Sequence, residues 1–178
     1  MSGTAIRPAV RVLLGAVGLL LGVCTFLGAR TRNPPVQVSL GEESPEFLGE
    51  AVPEVRFPAL ADTEGVLSTG EPHGRDRLIV FSDTGCSLCD ELYPLLRQAG
   101  ERLPVLIVAM GNRQQAQAKV KEHGLGVSVA FDSLLNSAGV LGVWQYPTVM
   151  LVSRDDVVKK AASGNLAARV VQDAMAEE

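Results

Sequence analysis

Cysteine and histidine are scarce in this chain, and the shortage excludes several kinds of site. Its 178 residues hold three cysteines and two histidines. Structural zinc needs four good donors, so the Cys-x-x-Cys pair Cys86 and Cys89 falls two short. The other donors are His73, His123 and Cys24, and Cys24 lies far upstream in an apolar stretch. Basic residues are also few where they would count. Beyond residue 32 the chain carries 12 lysines and arginines against all 20 of its acids, a net −8. That balance excludes nucleic acid as a partner, because phosphate backbones call for clustered cations. Internal repeats are lacking too. With 47% hydrophobic content, the length suits one compact domain with appendages.

Charge is missing altogether from one stretch. Residues 1–32 contain no acid, only Arg7, Arg11, Arg30 and Arg32, and Val12 to Ala29 carry no charge of either sign. As a helix those residues would reach about 27 Å, close to the hydrocarbon thickness of a bilayer. A cleaved signal peptide would leave an A-x-A pattern, but Leu27-Gly28-Ala29 stands there. Lipidation at Cys24 would want a small residue before it, and Val23 occupies that place. The expectation is a short cytoplasmic tail at 1–11, an uncleaved transmembrane anchor at 12–29, an extended linker at 30–49 and a folded domain at 50–178. Pro34, Pro35, Pro45 and four glutamates give residues 33–50 the composition of a spacer. Cys24 reads as a small apolar residue of the span. The short tail and the dithiol put the domain outside the cytoplasmic (inner) membrane, in a periplasmic setting, on a single-pass anchor.

What is present centres on Leu78 to Pro94, LIVFSDTGCSLCDELYP. Leu78 to Phe81 form a short apolar run suited to a strand buried on both faces. Ser82 to Gly85 follow with residues that favour turns and helix caps. Leu88, Leu92, Leu95 and Leu96 then recur at helical spacing. Two residues between cysteines on a first helical turn bring the sulfurs close enough to bridge. Unpaired N–H groups and the positive helix end favour the thiolate of Cys86, which becomes the exposed nucleophile with a lowered pKa. Cys89, deeper by one turn, would resolve the mixed disulfide. A purely structural bridge is disfavoured, since closing so short a loop removes little unfolded-state entropy. The chemistry expected is redox exchange through a Cys86–Cys89 disulfide, with no other cofactor and no metal.

Around this stretch the chain alternates. Pro53 to Pro58 and Gly65 to Thr69 read as two short strands about a turn at 61–64, and His73 as a solvated loop residue. Pro104 to Met110 is a buried strand, and Asn112 opens a polar helix ending at His123 and Gly124. His123 suits a capping role in that last turn. Val127 to Phe131 is a short strand, Ser133 to Ala138 a small helix and Pro147 to Val152 another strong strand. Asp155 and Asp156 turn into a strand at 157–161, and an amphipathic helix spans Leu166 to Met175. This is an α/β arrangement with a mixed sheet, with the dithiol at the C-terminal end of a central strand.

With its motifs in this order, the chain resembles the thioredoxin-like superfamily, in particular its membrane-tethered bacterial branch of TlpA-like and MauD-like proteins. The matching residues are the LIVFS strand, Cys86-Ser87-Leu88-Cys89, Pro94 five residues later, and Tyr146-Pro147-Thr148 at the head of a strand. The segment GEAVPEVRFPALADTEGVLS is similar to the strand pair that opens TlpA-like domains, and the resemblance covers roughly residues 48–178. It implies a thioredoxin-like fold with a mixed central sheet flanked by helices, behind an N-terminal transmembrane helix. It implies that Pro94 kinks the dithiol helix and that Pro147 follows a cis bond beside the cysteines. Tyr146, Pro147 and Gly85 would then bind substrate, with the Tyr146 backbone free to pair with an extended partner. Two departures stand out. Thr84-Gly85 replaces the common tryptophan before the first cysteine, which is closer to the MauD-like group. Val80 stands where many thioredoxins bury an aspartate. Asp83 and Asp90 flank the site and are expected to raise the thiol pKa by like-charge repulsion.

The function implied is thiol–disulfide exchange with exported client proteins, in the maturation of cytochrome c or an amine dehydrogenase. A membrane or periplasmic electron donor or acceptor would complete the cycle. The alternative is an extracytoplasmic copper-handling module using the same cysteines, although no obvious methionine or histidine supplies a third ligand. A redox-dead binding domain sits poorly with two intact cysteines. A peroxidase would want threonine three residues before Cys86, and Asp83 is there.

Overall fold

The computed structural model describes residues 48–61, 65–70 and 74–177. The expected tail, anchor and most of the linker, with Cys24, fall outside the described residues, as does His73. Among the described residues no helix is long and apolar enough to cross a membrane.

The chain runs β1 (Arg56–Pro58), β2 (Val66–Ser68), β3 (Arg77–Asp83), α1 (Ser87–Gly100), β4 (Val105–Met110), α2 (Arg113–Glu122), β5 (Ser128–Phe131), α3 (Asn136–Leu141), β6 (Thr148–Val152), β7 (Val158–Ser163) and α4 (Ala167–Glu177). A short 3-10 turn at Gly164–Leu166 leads into α4. The sheet order is β5-β4-β3-β6-β7, with β3, β4 and β5 parallel and β6 and β7 antiparallel to their neighbours. β1 and β2 form a separate antiparallel pair, and Ala59 bridges from it to Ala130 on β5.

β3 is central because its sequence tolerates nothing but burial. Leu78, Ile79, Val80 and Phe81 are all fully buried, each contributing roughly 1.5–3 kcal/mol relative to exposure. Successive side chains alternate across the sheet. Leu78 and Val80 pack with Leu92, Tyr93 and Leu96 of α1 and Val170 and Val171 of α4. Ile79 and Phe81 meet Phe57, Val143 and Met150 on the other face. Arg77, buried at the start of the strand, donates to Thr69 O at 2.7 Å and lies 2.7 Å from Asp156 in the β6–β7 turn. This fixes the N-terminal end of β3, while its C-terminal end opens into the cysteine loop.

Three details depart from expectation. Ser82 and Asp83 extend β3 instead of starting the turn, because their backbones continue the ladder to Ala109 and Met110. The small helix begins at Asn136, three residues late. Asp132, buried, accepts from the N–H groups of Leu134, Asn136 and Ser137 at 3.2, 2.9 and 2.8 Å, and Leu135 turns left-handed at φ 55°. β7 runs on to Ser163, and α4 starts only after the 3-10 turn.

Candidate active site

The cysteine loop is built by short-range bonds. Asp83 Oδ1 accepts from Gly85 N at 2.7 Å, and the Cys86 N–H donates to Asp83 O at 3.2 Å. Cys86 is therefore extended (φ −94°, ψ 113°) at the N-cap of α1, and its sulfur takes the capping bond from Cys89 N at 3.3 Å. A sulfur in a cap position receives an orphan helix N–H, which stabilises negative charge there. A neighbouring turn braces the loop. Thr84 Oγ1 accepts from Asn112 N at 3.0 Å, and Gly111 adopts φ +88° with Thr84 where a side chain would sit, so only glycine suits.

The two sulfurs differ in environment. Cys86 is half-buried, whereas Cys89 is 1% exposed. Burial pushes the Cys89 thiol far above its ordinary value, helped by the hydrogen bond with Cys86 and opposed by the Asp83 backbone and the Ser82 hydroxyl. For Cys89, burial and not repulsion from Asp83 and Asp90 is the principal cause. Asp90 is ion-paired with Lys119 of α2. Pro94 lies inside α1, exposed, without ending the helix.

The second half of the site arrives from the far side of the chain. The Tyr146–Pro147 bond is cis, as the resemblance implied. Cys86 Sγ donates to Tyr146 O at 3.5 Å across 60 residues of sequence. Pro147 is buried, and its carbonyl accepts from Gly164 N at 2.8 Å, while Thr148 Oγ1 donates to Gln145 O at 2.7 Å. Tyr146 is half-buried, with its hydroxyl raised by burial and donating to Val143 O at 3.3 Å. Gly85 is exposed beside Cys86. All five residues singled out from sequence thus meet at one corner, next to a cleft lined by Leu88, Glu91, Leu92, Pro147, Gly164 and Asn165. His123 caps α2 through its N–H to Lys119 O, and its ring centroid lies 5.0 Å from that of Tyr93.

Two neighbours were not singled out from sequence. Ser82 and Tyr93 lie buried below Cys89, their hydroxyl oxygens 2.6 Å apart. The available signals were parity and spacing. Ser82 shares the inward face of Leu78 and Val80, and Tyr93 follows Cys89 by four residues on one helix face.

A dithiol capping a helix, set against a cis-proline at the head of an antiparallel strand on a sheet ordered this way, defines the thioredoxin-like fold. A secreted thiol-disulfide isomerase from Corynebacterium glutamicum shares it with a TM-score of 0.65 at 15% identity, covering 78% of this chain and 91% of that one. Among sequence relatives the chain is similar to MauD proteins. It is 26% identical over 116 residues to methylamine utilization protein MauD of Paracoccus denitrificans, and 28% identical over 120 residues to that of Methylorubrum extorquens. Each match covers 64% of this chain but only 58% and 57% of the relative, so the chain aligns with under three fifths of their length. No family model matches the chain.

Proposed function

We propose that this chain is a thiol–disulfide oxidoreductase that exchanges disulfides with exported client proteins, anchored in the cytoplasmic membrane by residues 12–29. The observation that carries the reading is the setting of Cys86. A half-exposed sulfur caps a helix and touches the Tyr146 carbonyl, while its partner sulfur is buried. Cys86, as thiolate, attacks a client disulfide and the client's other sulfur leaves with the electron pair. Cys89 then attacks Cys86 Sγ, forming the Cys86–Cys89 bond and releasing the reduced client. Run backwards, the same steps oxidise a client dithiol. Tyr146, Pro147 and Gly85 form the rim against which an extended client segment lies.

The name methylamine utilization protein carried by the MauD relatives supports a client within methylamine utilization; the clients proposed are an exported amine dehydrogenase in the first place and cytochrome c in the second. A membrane or periplasmic dithiol carrier resets the Cys86–Cys89 pair. The alternative is copper handling by the same two thiolates; among the described residues no three His, Cys, Asp or Glu side chains gather around them in a metal-holding group.

Insulin reduction tests the chemistry. The intact chain should accelerate it, and Cys86→Ser and Cys89→Ser should each fall to the uncatalysed background. Cys89→Ser should also accumulate a mixed disulfide with an exported protein on non-reducing gels. If no adduct forms with any exported protein, exchange with clients is the wrong reading; tight stoichiometric copper binding by the intact chain would favour the alternative.

A further inference from the structure

A buried polar pair lies behind the reactive corner. Ser82 is 1% exposed and Tyr93 4%, and their hydroxyl oxygens lie 2.6 Å apart. Ser82 points to the face of β3 that α1 covers, and Cys89 and Tyr93 occupy successive turns of the buried side of α1. The Ser82 hydroxyl also works against the effect of burial on the Cys89 thiol. A serine hydroxyl has one proton to donate. When Cys89 is a thiolate its sulfur can only accept, so Ser82 donates to it. The Tyr93 hydroxyl must then be the donor in the bond with Ser82.

We infer that Tyr93 and Ser82 form a two-hydroxyl relay that holds the Cys89 thiolate during resolution of the mixed disulfide. Ser82 is the member of the pair that acts on the reacting sulfur, and Tyr93 is a positioning residue acting through it. In this protein Val80 leaves the strand without a buried carboxylate at the position noted above, and Ser82 is the next residue along the same face. Aligned hydroxyls in a dry setting favour the charged sulfur and reinforce one another.

The step rests on the exchange reaction proposed above. Cys89 loses its proton and its thiolate attacks Cys86 Sγ. The Cys86–Cys89 bond forms, the Cys86–client bond breaks, and the electron pair departs on the client sulfur, which takes up the released proton through water. The client gains two electrons and the dithiol loses two. Facing Cys89 are Cys86 on α1, Ser82 and Asp83 on β3, and Tyr146 at the proline corner. Facing Tyr93 are Asp90, itself paired with Lys119, and the His123 ring.

Stoichiometric DTNB added to the reduced full-length protein separates the two steps. Attack by Cys86 releases one thionitrobenzoate and resolution by Cys89 releases the second. Tyr93→Phe should leave the first phase within twofold of the unaltered protein. It should slow the second about tenfold, the scale of one hydrogen bond to a charged group, and move its pH midpoint upward. Ser82→Ala should slow the second phase at least as much, Ser82→Thr should restore it, and the double variant should be no slower than Ser82→Ala. An unchanged second phase in Tyr93→Phe overturns the relay. So does a first phase slowed as much as the second, or a Ser82→Thr protein as slow as Ser82→Ala, which would assign the effect to packing. Tyr93→Phe keeps the ring in the core and decides the matter if a Ser82 variant fails to fold. An unaltered protein that releases one thionitrobenzoate and never the second defeats the exchange reading itself, a different result from any of these.

Discussion

Asp132 organises more backbone than any cap in the sequence pattern suggested. Its carboxylate takes three N–H groups and the Ser137 hydroxyl, the last at 2.7 Å, while the residue is only 2% exposed. Asp132→Ala would leave the Ser137 N–H and hydroxyl buried without their acceptor, so it should lower stability by about 3 kcal/mol in urea denaturation. Asp132→Asn should recover part of the loss, because it keeps an acceptor oxygen. The donors lie only two to five residues downstream, so the motif was within reach of a sequence reading. Phe131-Asp132-Ser133 announces a turn, but which amides the carboxylate captures depends on Leu135 turning left-handed. At the same scale, the expected rise of a thiol pKa is found at Cys89, with burial as its first cause. Asp83 is engaged by the Gly85 N–H and Asp90 by Lys119, partners that spacing alone does not reveal.

At the scale of elements, helix starts follow their caps. α1 begins where Cys86 accepts the Cys89 N–H, and α2 begins where Asn112 Oδ1 accepts the Gln115 N–H at 3.0 Å. Asn112→Ala should cost about 1 kcal/mol in urea denaturation with an unchanged denaturant slope, since only the cap is lost. Because the same turn supports Thr84, this variant should also slow Cys86 alkylation less than twofold if bracing there is shared with Gly111. β3, β4 and β6 were legible as apolar runs, since a strand buried on both faces has no polar position to confuse its period. α3 was placed early because one aspartate outweighed the local helix pattern.

Across the whole molecule, α4 is tied to the sheet by a surface ion cluster. Lys159 reaches Asp76 and Glu177 at 2.7 and 2.8 Å, and Lys160 reaches Asp173 and Glu177 at 3.0 and 2.9 Å. Bonds from Lys159, then Lys160, hold Glu177 below its ordinary carboxylate value, and both lysines are raised. A depressed carboxylate adds stability above its unfolded pKa and loses it as pH falls through the folded one. A raised lysine adds stability below its unfolded pKa and loses it as pH rises through the folded one. The cluster should therefore contribute evenly from about pH 5 to pH 10 and fade outside that window. Glu177→Gln should lower the melting temperature slightly at pH 7, with the difference vanishing near pH 3 and shrinking in high salt, as befits exposed pairs. A difference that persists near pH 3 would point to packing instead.

The sequence by itself determined the main strands, the dithiol helix and the two-residue spacing of Cys86 and Cys89, because burial period, cap chemistry and cysteine spacing are local properties. Only the tertiary structure decided that the Tyr146 carbonyl meets the Cys86 sulfur and that the Ser82 and Tyr93 hydroxyls meet behind the dithiol. Those relations join chain positions as many as 60 residues apart, and they exist only once β3 and β6 pair antiparallel and α1 covers one face of the sheet.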